Sequence, residues 1–112
     1  MIAARAALHL DLDQAFGALA HRVRRRILEA TIRKGRGVTE LTEEFDISLA
    51  AVSKHVKVLE RAGLVSREIL GRDHVIRARV EQLRAARDWI ARQTLFWERA
   101  MSRLKADLEG RP

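Results

Sequence analysis

Cysteine is absent from this 112-residue chain, and proline occurs once, as Pro112. A chain without cysteine holds no disulfide, thiol switch or thiolate-bound metal, which fits a protein of the reducing cytoplasm. Because glycine is also sparse, no segment has the composition of a flexible linker. We therefore expect a single domain over residues 1–112, near the commonest domain size.

Long apolar runs are missing as well. No stretch of 18 uncharged apolar residues occurs, so we expect no membrane span. The opening residues MIAARAALHLDLDQ lack the charged-then-apolar order of a signal peptide. There is no cysteine nucleophile, glycine-rich phosphate loop or recognisable acid pair, so we expect neither an enzyme nor a cofactor.

Positive charge is what the chain has in excess. Lys and Arg total 22 against 15 Asp and Glu, a formal net charge of +7. A small basic domain favours polyanionic partners, most often nucleic acid. General solubility is the alternative unless the basic residues cluster.

Apolar spacing predicts three helices, at about residues 10–20, 23–34 and 38–45. A fourth follows in SLAAVSKHVKVLERAGLV, where Ser48 is suited to cap the N-terminus and Gly63 the C-terminus. Its predicted core stripe has steps of three or four residues and comprises Leu49, Val52, Val56 and Leu59. Since only two residues separate the third and fourth helices, they must cross steeply, as in a helix-turn-helix over 38–62.

Two alternating runs joined by Gly71-Arg72-Asp73 predict a β-hairpin over residues 64–80. A helix-turn-helix followed by a hairpin is a winged helix-turn-helix, so the expected fold is mainly α with a small β-hairpin. Arg72 at the tip is predicted to enter a minor groove; a solvated arginine is the alternative.

Residues 81–109 contain no helix breaker and predict a helix of roughly 40 Å. Its apolar seam has members spaced by seven residues, which are Leu83, Ile90, Trp97 and Leu104. Met101 is a further member of the seam. So long an apolar seam exceeds what a small core covers, which predicts pairing with a second copy of the chain. The alternative is that the helix folds back wholly on its own domain.

The polar face of the fourth helix is predicted to lie in the major groove of DNA, where Lys reaches guanine and an Ala methyl packs on thymine. The residues assigned to it are Ser48, Ala50, Ala51, Ser53, Lys54, His55 and Lys57. Glu40, Glu43 and Glu44 on the preceding helix are expected to face away from phosphate. From the basic run at residues 21–26, Arg24 is assigned to backbone phosphate, with a solvated helix surface as the alternative.

Three stretches together resemble the ArsR family of bacterial winged helix-turn-helix repressors: FGALAHRVRRRILEA, VTELTEEFDISLAAVSKHVKVLERAGLVSRE and GRDHVIRARV. The resemblance implies a cytoplasmic homodimer that binds an imperfect palindrome in promoter DNA and is released by an effector. It also implies that the first and last helices build the dimer, which adds Phe16 to the interface.

Two departures from that family's patterns concern metals and the second helix. Where metal-sensing members carry a Cys-Val-Cys-like stretch, this chain reads TELTEEF, and its last helix has Asp88 but no His. The four His lie in four different segments, so we expect no metal site and an effector that is not a metal ion. His21-Arg22-Val23 replaces an Asp-Pro-Thr-like turn. A winged-helix module that binds other proteins without reading DNA is the alternative function.

Overall fold

The computed structural model describes residues 12–110, and these form five helices and three strands. The elements are α1 (residues 12–19), α2 (Arg22–Arg33), β1 (Arg36–Gly37), α3 (Val38–Phe45), α4 (Leu49–Arg61), β2 (Val65–Leu70), β3 (Asp73–Ala78) and α5 (Glu81–Glu109). Residues 10 and 11, predicted to begin the first helix, lie outside the described residues. The predicted winged helix-turn-helix is confirmed.

The turn between α3 and α4 is as short as predicted. Asp46 ends α3 in the left-handed region, with φ 51° and ψ 47°, a conformation that Asp tolerates better than most residues. Ser48 caps α4 as expected, since its Oγ accepts a hydrogen bond from the Ala51 backbone N–H at 3.1 Å. This cap fixes the residue at which the fourth helix begins.

The C-terminal end of α4 is closed by Gly63, which has a φ of 73°. The Gly63 N–H donates to the Glu60 carbonyl at 2.9 Å, and the Leu64 N–H donates to the Leu59 carbonyl at 3.0 Å. A left-handed residue with two such bonds ends many helices, and glycine adopts it without steric cost. The turn directs the chain from α4 straight into β2.

The hairpin differs slightly from its predicted bounds. Its turn has two residues, Gly71 with φ 63° and Arg72, while Asp73 already pairs with Leu70 across the strands. A positive φ at the first turn position matches the twist of the flanking strands, as in a type II′ turn. Residues 79 and 80, expected in the second strand, lie outside it.

A third strand, β1, was not predicted. Arg36 and Gly37 pair with Ile76 and Val75 of β3, giving an antiparallel sheet in the order β1-β3-β2. A strand of two residues is too short for its sequence to show any periodicity. The strand joins the middle of β3 to the start of α3.

The core lies between α2, α3, α4 and the base of the sheet. Its fully buried large side chains are Ile27, Leu41, Val52, Val56, Leu59, Leu64 and Ile76. The prediction that Leu49 belongs to this core is wrong, because Leu49 is 57% exposed. Leu49 is the first residue of α4, and it lines an open cleft beside the hairpin.

Helix α5 has its predicted bounds and projects from the rest of the chain. From residue 87 to residue 110 every residue is exposed except the partly buried Ala100. The alternative that this helix folds back wholly on its own domain is therefore wrong. No helix within residues 12–110 combines the length and the apolar character needed to cross a membrane.

The closing turn of α4 yields a stability prediction. Replacing Gly63 by Ala puts a Cβ at positive φ and 3.2 Å from the Gln82 Cγ, so Gly63→Ala is expected to lower the free energy of unfolding by about 1–2 kcal/mol. Urea denaturation measures it. Gly17→Ala is the control, because a Cβ there meets nothing within 4 Å and Ala within a helix is favoured by about 0.5–1 kcal/mol. Equal effects of the two substitutions would contradict the argument.

Candidate nucleic-acid interface

The outer face of α4 is open to solvent over its first three turns. Of the residues assigned to DNA, Ser48, Ala50, Lys54 and Lys57 are exposed, while Ala51, Ser53 and His55 are partly buried. The opposite stripe of the same helix packs into the core. One helix thus presents a basic, sterically accessible face whose angle is fixed by its buried side.

A cleft separates the N-terminal end of α4 from the hairpin. Leu49 and Ser53 line one side and Arg72 the other. Glu40 and Glu43 also line this cleft, so these two carboxylates lie beside the face of α4 that is assigned to DNA. Leu49 is an interface candidate that the sequence does not reveal, because its apolar character predicts a core residue.

Arg36 offsets part of the acidic charge of α3. Its Nη1 lies 2.6 Å from the Glu44 Oε2 and 3.7 Å from the Glu40 Oε2. The guanidinium therefore lies between two carboxylates next to the cleft. This arrangement weakens the field that α3 would otherwise direct at a polyanion.

The arginine run at the start of α2 mostly serves the fold. Arg24 donates from Nε to the Ala18 carbonyl at 2.7 Å and from Nη2 to the Gly17 carbonyl at 3.2 Å. Arg25 donates to the Leu19 carbonyl at 2.7 Å, and Arg26 stacks over a phenylalanine ring. The last carbonyls of α1 have no hydrogen-bond partner within their own helix. The guanidinium groups of Arg24 and Arg25 supply donors to these carbonyls.

His21 explains how α2 begins without the Asp-Pro-Thr-like turn. It is the N-cap residue, and its Nδ1 accepts a hydrogen bond from the Val23 backbone N–H at 3.2 Å. Its ring also packs against that of His55 on α4, with centroids 4.5 Å apart. These histidines are 34 positions apart, so no local spacing predicted their contact. Within residues 12–110, no three side chains of metal-ligating type come together.

His55 is surrounded by cations. The Arg24 Nη1 lies 3.4 Å from its Nδ1. Partial burial of the ring, followed by the nearby charges of His21, Arg24 and Lys54, lowers the pKa of His55 below the usual 6.5. The neutral form of the His55 imidazole is therefore favoured over the imidazolium in the free protein.

A second charged cluster joins α4 to the hairpin. Arg67 of β2 donates from Nη2 to the Glu60 Oε1 at 2.8 Å, and its Nη1 lies 2.9 Å from the His74 Nδ1. Glu60 is the first acidic residue after the basic face of α4. Its charge is thus matched by an arginine of the hairpin.

The residues assigned to the dimer interface lie on α1 and α5. The Phe16 ring meets the Trp89 ring edge-on, with centroids 5.7 Å apart. Beside them runs an open groove lined by Phe16, Leu83 and Ile90. Further along α5, Trp97 is 65% exposed and Leu104 50% exposed. The assigned residues of α5 thus follow one side of that helix, with Phe16 of α1 beside its N-terminal part.

Comparison with known proteins agrees with this geometry. The family model of a helix-turn-helix domain matches residues 19–68. The HTH-type transcriptional regulator Rv2034 of Mycobacterium tuberculosis is 37% identical over 90 residues, 80% of this chain and 81% of that protein. An ArsR family transcriptional regulator of known crystal structure is 33% identical with a TM-score of 0.73, covering 79% of this chain and 91% of its own. This chain belongs to the ArsR family. It is a DNA-binding transcriptional regulator and not an enzyme.

Two further ArsR structures cover more of the molecule. An ArsR-like transcriptional regulator from Rhodococcus sp. RHA1 is 26% identical, with a TM-score of 0.79 over 92% of this chain and 97% of that one. The winged helix-turn-helix DNA-binding domain of a possible ArsR-family regulator from Mycobacterium bovis is 25% identical, with a TM-score of 0.66. It covers 86% of this chain and 87% of that one, and it is homodimeric.

The lowered pKa of His55 predicts a pH dependence of stability. The unfolded chain takes up the His55 proton at a higher pH than the folded chain does. Stability is therefore lost as the pH falls through the unfolded value of 6.5 toward the folded one. His55→Asn is expected to lose less unfolding free energy than the wild type between about pH 7 and about pH 5, measured by urea denaturation. An NMR titration of the His55 ring provides the control, and a midpoint at or above 6.5 would contradict the assignment.

Proposed function

We propose that this ArsR family regulator is a homodimeric repressor that binds an imperfect palindrome in promoter DNA. An effector other than a metal ion releases it. The observation that carries the proposal is the exposed outer face of α4, which bears Lys54 and Lys57 but no acidic residue before Glu60. Promoter DNA is the polyanion that such a helix fits. A repressor of this kind acts in the cytoplasm.

The major-groove contacts are assigned to the first three turns of α4. The assigned residues are Ser48, Ala50, Ala51, Ser53, Lys54, His55 and Lys57, to which the exposed Leu49 is added. Lysines reach guanine acceptors or phosphates, and the apolar side chains suit thymine methyl groups. Arg72 is assigned to the flanking minor groove, because it occupies the exposed tip of the hairpin.

Arg24 receives a different role from the one that its sequence position indicated. Its three guanidinium nitrogens already contact the Gly17 and Ala18 carbonyls and His55. We therefore propose that Arg24 orients His55 and completes α1, and we leave phosphate contact to the exposed Arg22. Exposed guanidinium groups contribute affinity without sequence preference.

The homodimer is proposed from the seam of α5. Ile90, Trp97, Met101 and Leu104 are between 44% and 65% exposed, and they share one face of the helix. An apolar stripe of this length on a free surface normally marks a protein interface. A second copy is the simplest partner, and a two-fold dimer places its two α4 helices on symmetric half-sites, which accounts for a palindrome.

The repressor and its effector are supported by family resemblance and by chemistry. A bound dimer at a promoter blocks transcription by occupying the site. The chain has no cysteine, and the stretch that carries ligands in metal sensors reads TELTEEF. These features support an effector that is not a thiophilic metal ion.

Fluorescence anisotropy on duplex DNA from the region upstream of the protein's own gene tests the proposal. A shuffled duplex is the control, and both are measured at several salt concentrations. Binding the native duplex tighter by about a hundredfold or more supports specific recognition. Equal, steeply salt-dependent binding to both overturns specific reading of this site. No binding to either favours a winged-helix module that binds proteins.

The lysines of α4 give a salt prediction. Replacing Lys54 and Lys57 by Ala is expected to weaken operator binding, because fewer counterions are released on association. The slope of log K against log salt should fall by about 1 for each lysine–phosphate pair that the substitutions remove. Anisotropy titrations at four or more salt concentrations measure the slope.

The matched control for this prediction removes two positive charges elsewhere. Arg99 and Arg103 are exposed on α5, far along the chain from α4. Replacing both by Ala leaves the slope unchanged if the α4 lysines contact DNA. An equal change in both double variants would mean that only the net charge matters.

The seam of α5 gives a prediction about assembly. Leu104→Glu puts an unpaired carboxylate into the proposed interface, twice by symmetry, at a cost of several kcal/mol for each buried charge. We expect a monomer at micromolar concentration by light scattering, where the wild type is a dimer. Ser102→Glu adds the same charge about 160° around the helix and should remain dimeric. A wild-type monomer, or dissociation of both variants alike, would contradict the interface.

A further inference from the structure

Arg67 connects three elements through one guanidinium group. It lies on β2, and it reaches Glu60 of α4 with Nη2 at 2.8 Å and with Nε at 3.4 Å. Its Nη1 lies 2.9 Å from the Nδ1 of His74 on β3. Because arginine has no acceptor, the His74 Nδ1 must accept this bond. All three nitrogens of the side chain therefore tie α4 to both strands of the hairpin.

The surroundings of this cluster distinguish it from an ordinary surface ion pair. The side chains of Arg67 and Glu60 are 22% and 31% exposed. The Arg77–Glu68 pair, which joins the two hairpin strands without touching α4, is 55% and 52% exposed. Two opposite charges attract each other more strongly where they are less exposed to water. Within residues 12–110, Arg67–Glu60 is also the sole ion pair between α4 and the hairpin.

The last residues of the hairpin, beyond Val75 on β3 and Glu68 on β2, have little other support. Strand β1 pairs with β3 only at Ile76, which lies opposite Arg67, and at Val75, one residue nearer the turn. On β2, all residues after Arg67 are exposed, including Ile69 at 63%. The turn lies four residues past Arg67, or about 13 Å along the strand. A rotation of about 10° at Arg67 would move the tip by about 2 Å over that length, enough to break a hydrogen bond.

We propose that Arg67 is a positioning residue that sets the angle of the β2–β3 hairpin, the wing, relative to α4. At this angle Arg72 reaches the DNA backbone or minor groove beside the half-site. Glu60 supplies the anchor on α4, and His74 extends the contact to the second strand. The inference rests on the proposed DNA-binding function and deepens it, because it makes the wing contact depend on a cluster that does not itself touch DNA.

The test exploits two glutamates whose removal changes the net charge equally. Glu60→Leu removes the anchor of Arg67, while Glu68→Leu breaks the Arg77 pair and leaves α4 untouched. Each variant is combined with Arg72→Ala, and operator affinity is measured for all six proteins. Both glutamate substitutions remove a negative charge, so simple electrostatics predicts slightly tighter binding from each.

We expect Arg72→Ala to weaken operator binding on the order of tenfold in the wild-type and Glu68→Leu backgrounds, the size of one charge-assisted contact. In the Glu60→Leu background the same substitution should change affinity less than about twofold, since the tip is no longer held in place. An equal loss in all three backgrounds overturns the proposal. So does an Arg72→Ala protein that binds like the wild type, because the wing then has no contact to position.

Hydrogen exchange separates failure of this inference from failure of the proposed function. In free protein, amides of the hairpin beyond Arg67 should exchange faster in Glu60→Leu than in the wild type or Glu68→Leu, with the amides of α2 unchanged. Unchanged hairpin exchange in Glu60→Leu refutes the positioning role even if operator binding is specific. Faster exchange together with no specific binding by the wild type refutes the proposed function, and the positioning of a DNA contact falls with it.

Discussion

The burial of one side of α4 is the constraint on which the rest of the structure depends. Val52, Val56 and Leu59 are fully buried between α2, α3 and the base of the sheet. Because this stripe fixes the rotation of the helix about its axis, the opposite face, with Lys54 and Lys57, is held outward. The Ser48 cap and the Gly63 turn then fix where the helix begins and ends. The side chains of α4 that are assigned to DNA are thus presented to solvent by a helix whose position is fixed.

The elements with a strong local signal could be predicted from the sequence. Helices α3 and α5 have their predicted bounds, and Ser48 caps α4, because apolar periodicity and capping residues act within a few positions. The start of α2 has a weaker signal, since histidine replaces the usual capping residues there. The structure resolves this through the His21 Nδ1, which accepts the Val23 N–H. A neutral imidazole nitrogen accepts a backbone N–H as a carboxylate or hydroxyl oxygen does.

The rest depended on contacts between distant residues. Strand β1 exists only because β3 lies beside it, so two residues of sequence carry no sign of it. Leu49 has the character of a core residue but no core beneath it. Arg24, which was assigned to phosphate on charge alone, instead binds the carbonyls that end α1. Composition identified how many cations are present, but only the fold shows which of them remain free to meet a ligand. The wing contact assigned to Arg72 stays a prediction.

The exposed length of α5 has a consequence for the regulator's behaviour in a cell. Under the proposed dimerisation, a protomer with its apolar seam open to water is in equilibrium with its dimer, and the dimer concentration rises with the square of the protomer concentration when protomers dominate. Under the proposed mode of binding, promoter occupancy would therefore respond steeply to the rate at which the chain is made and degraded. In the proposed dimer, α5 would thus both set the separation of the two α4 helices and make DNA binding depend on the concentration of the protein.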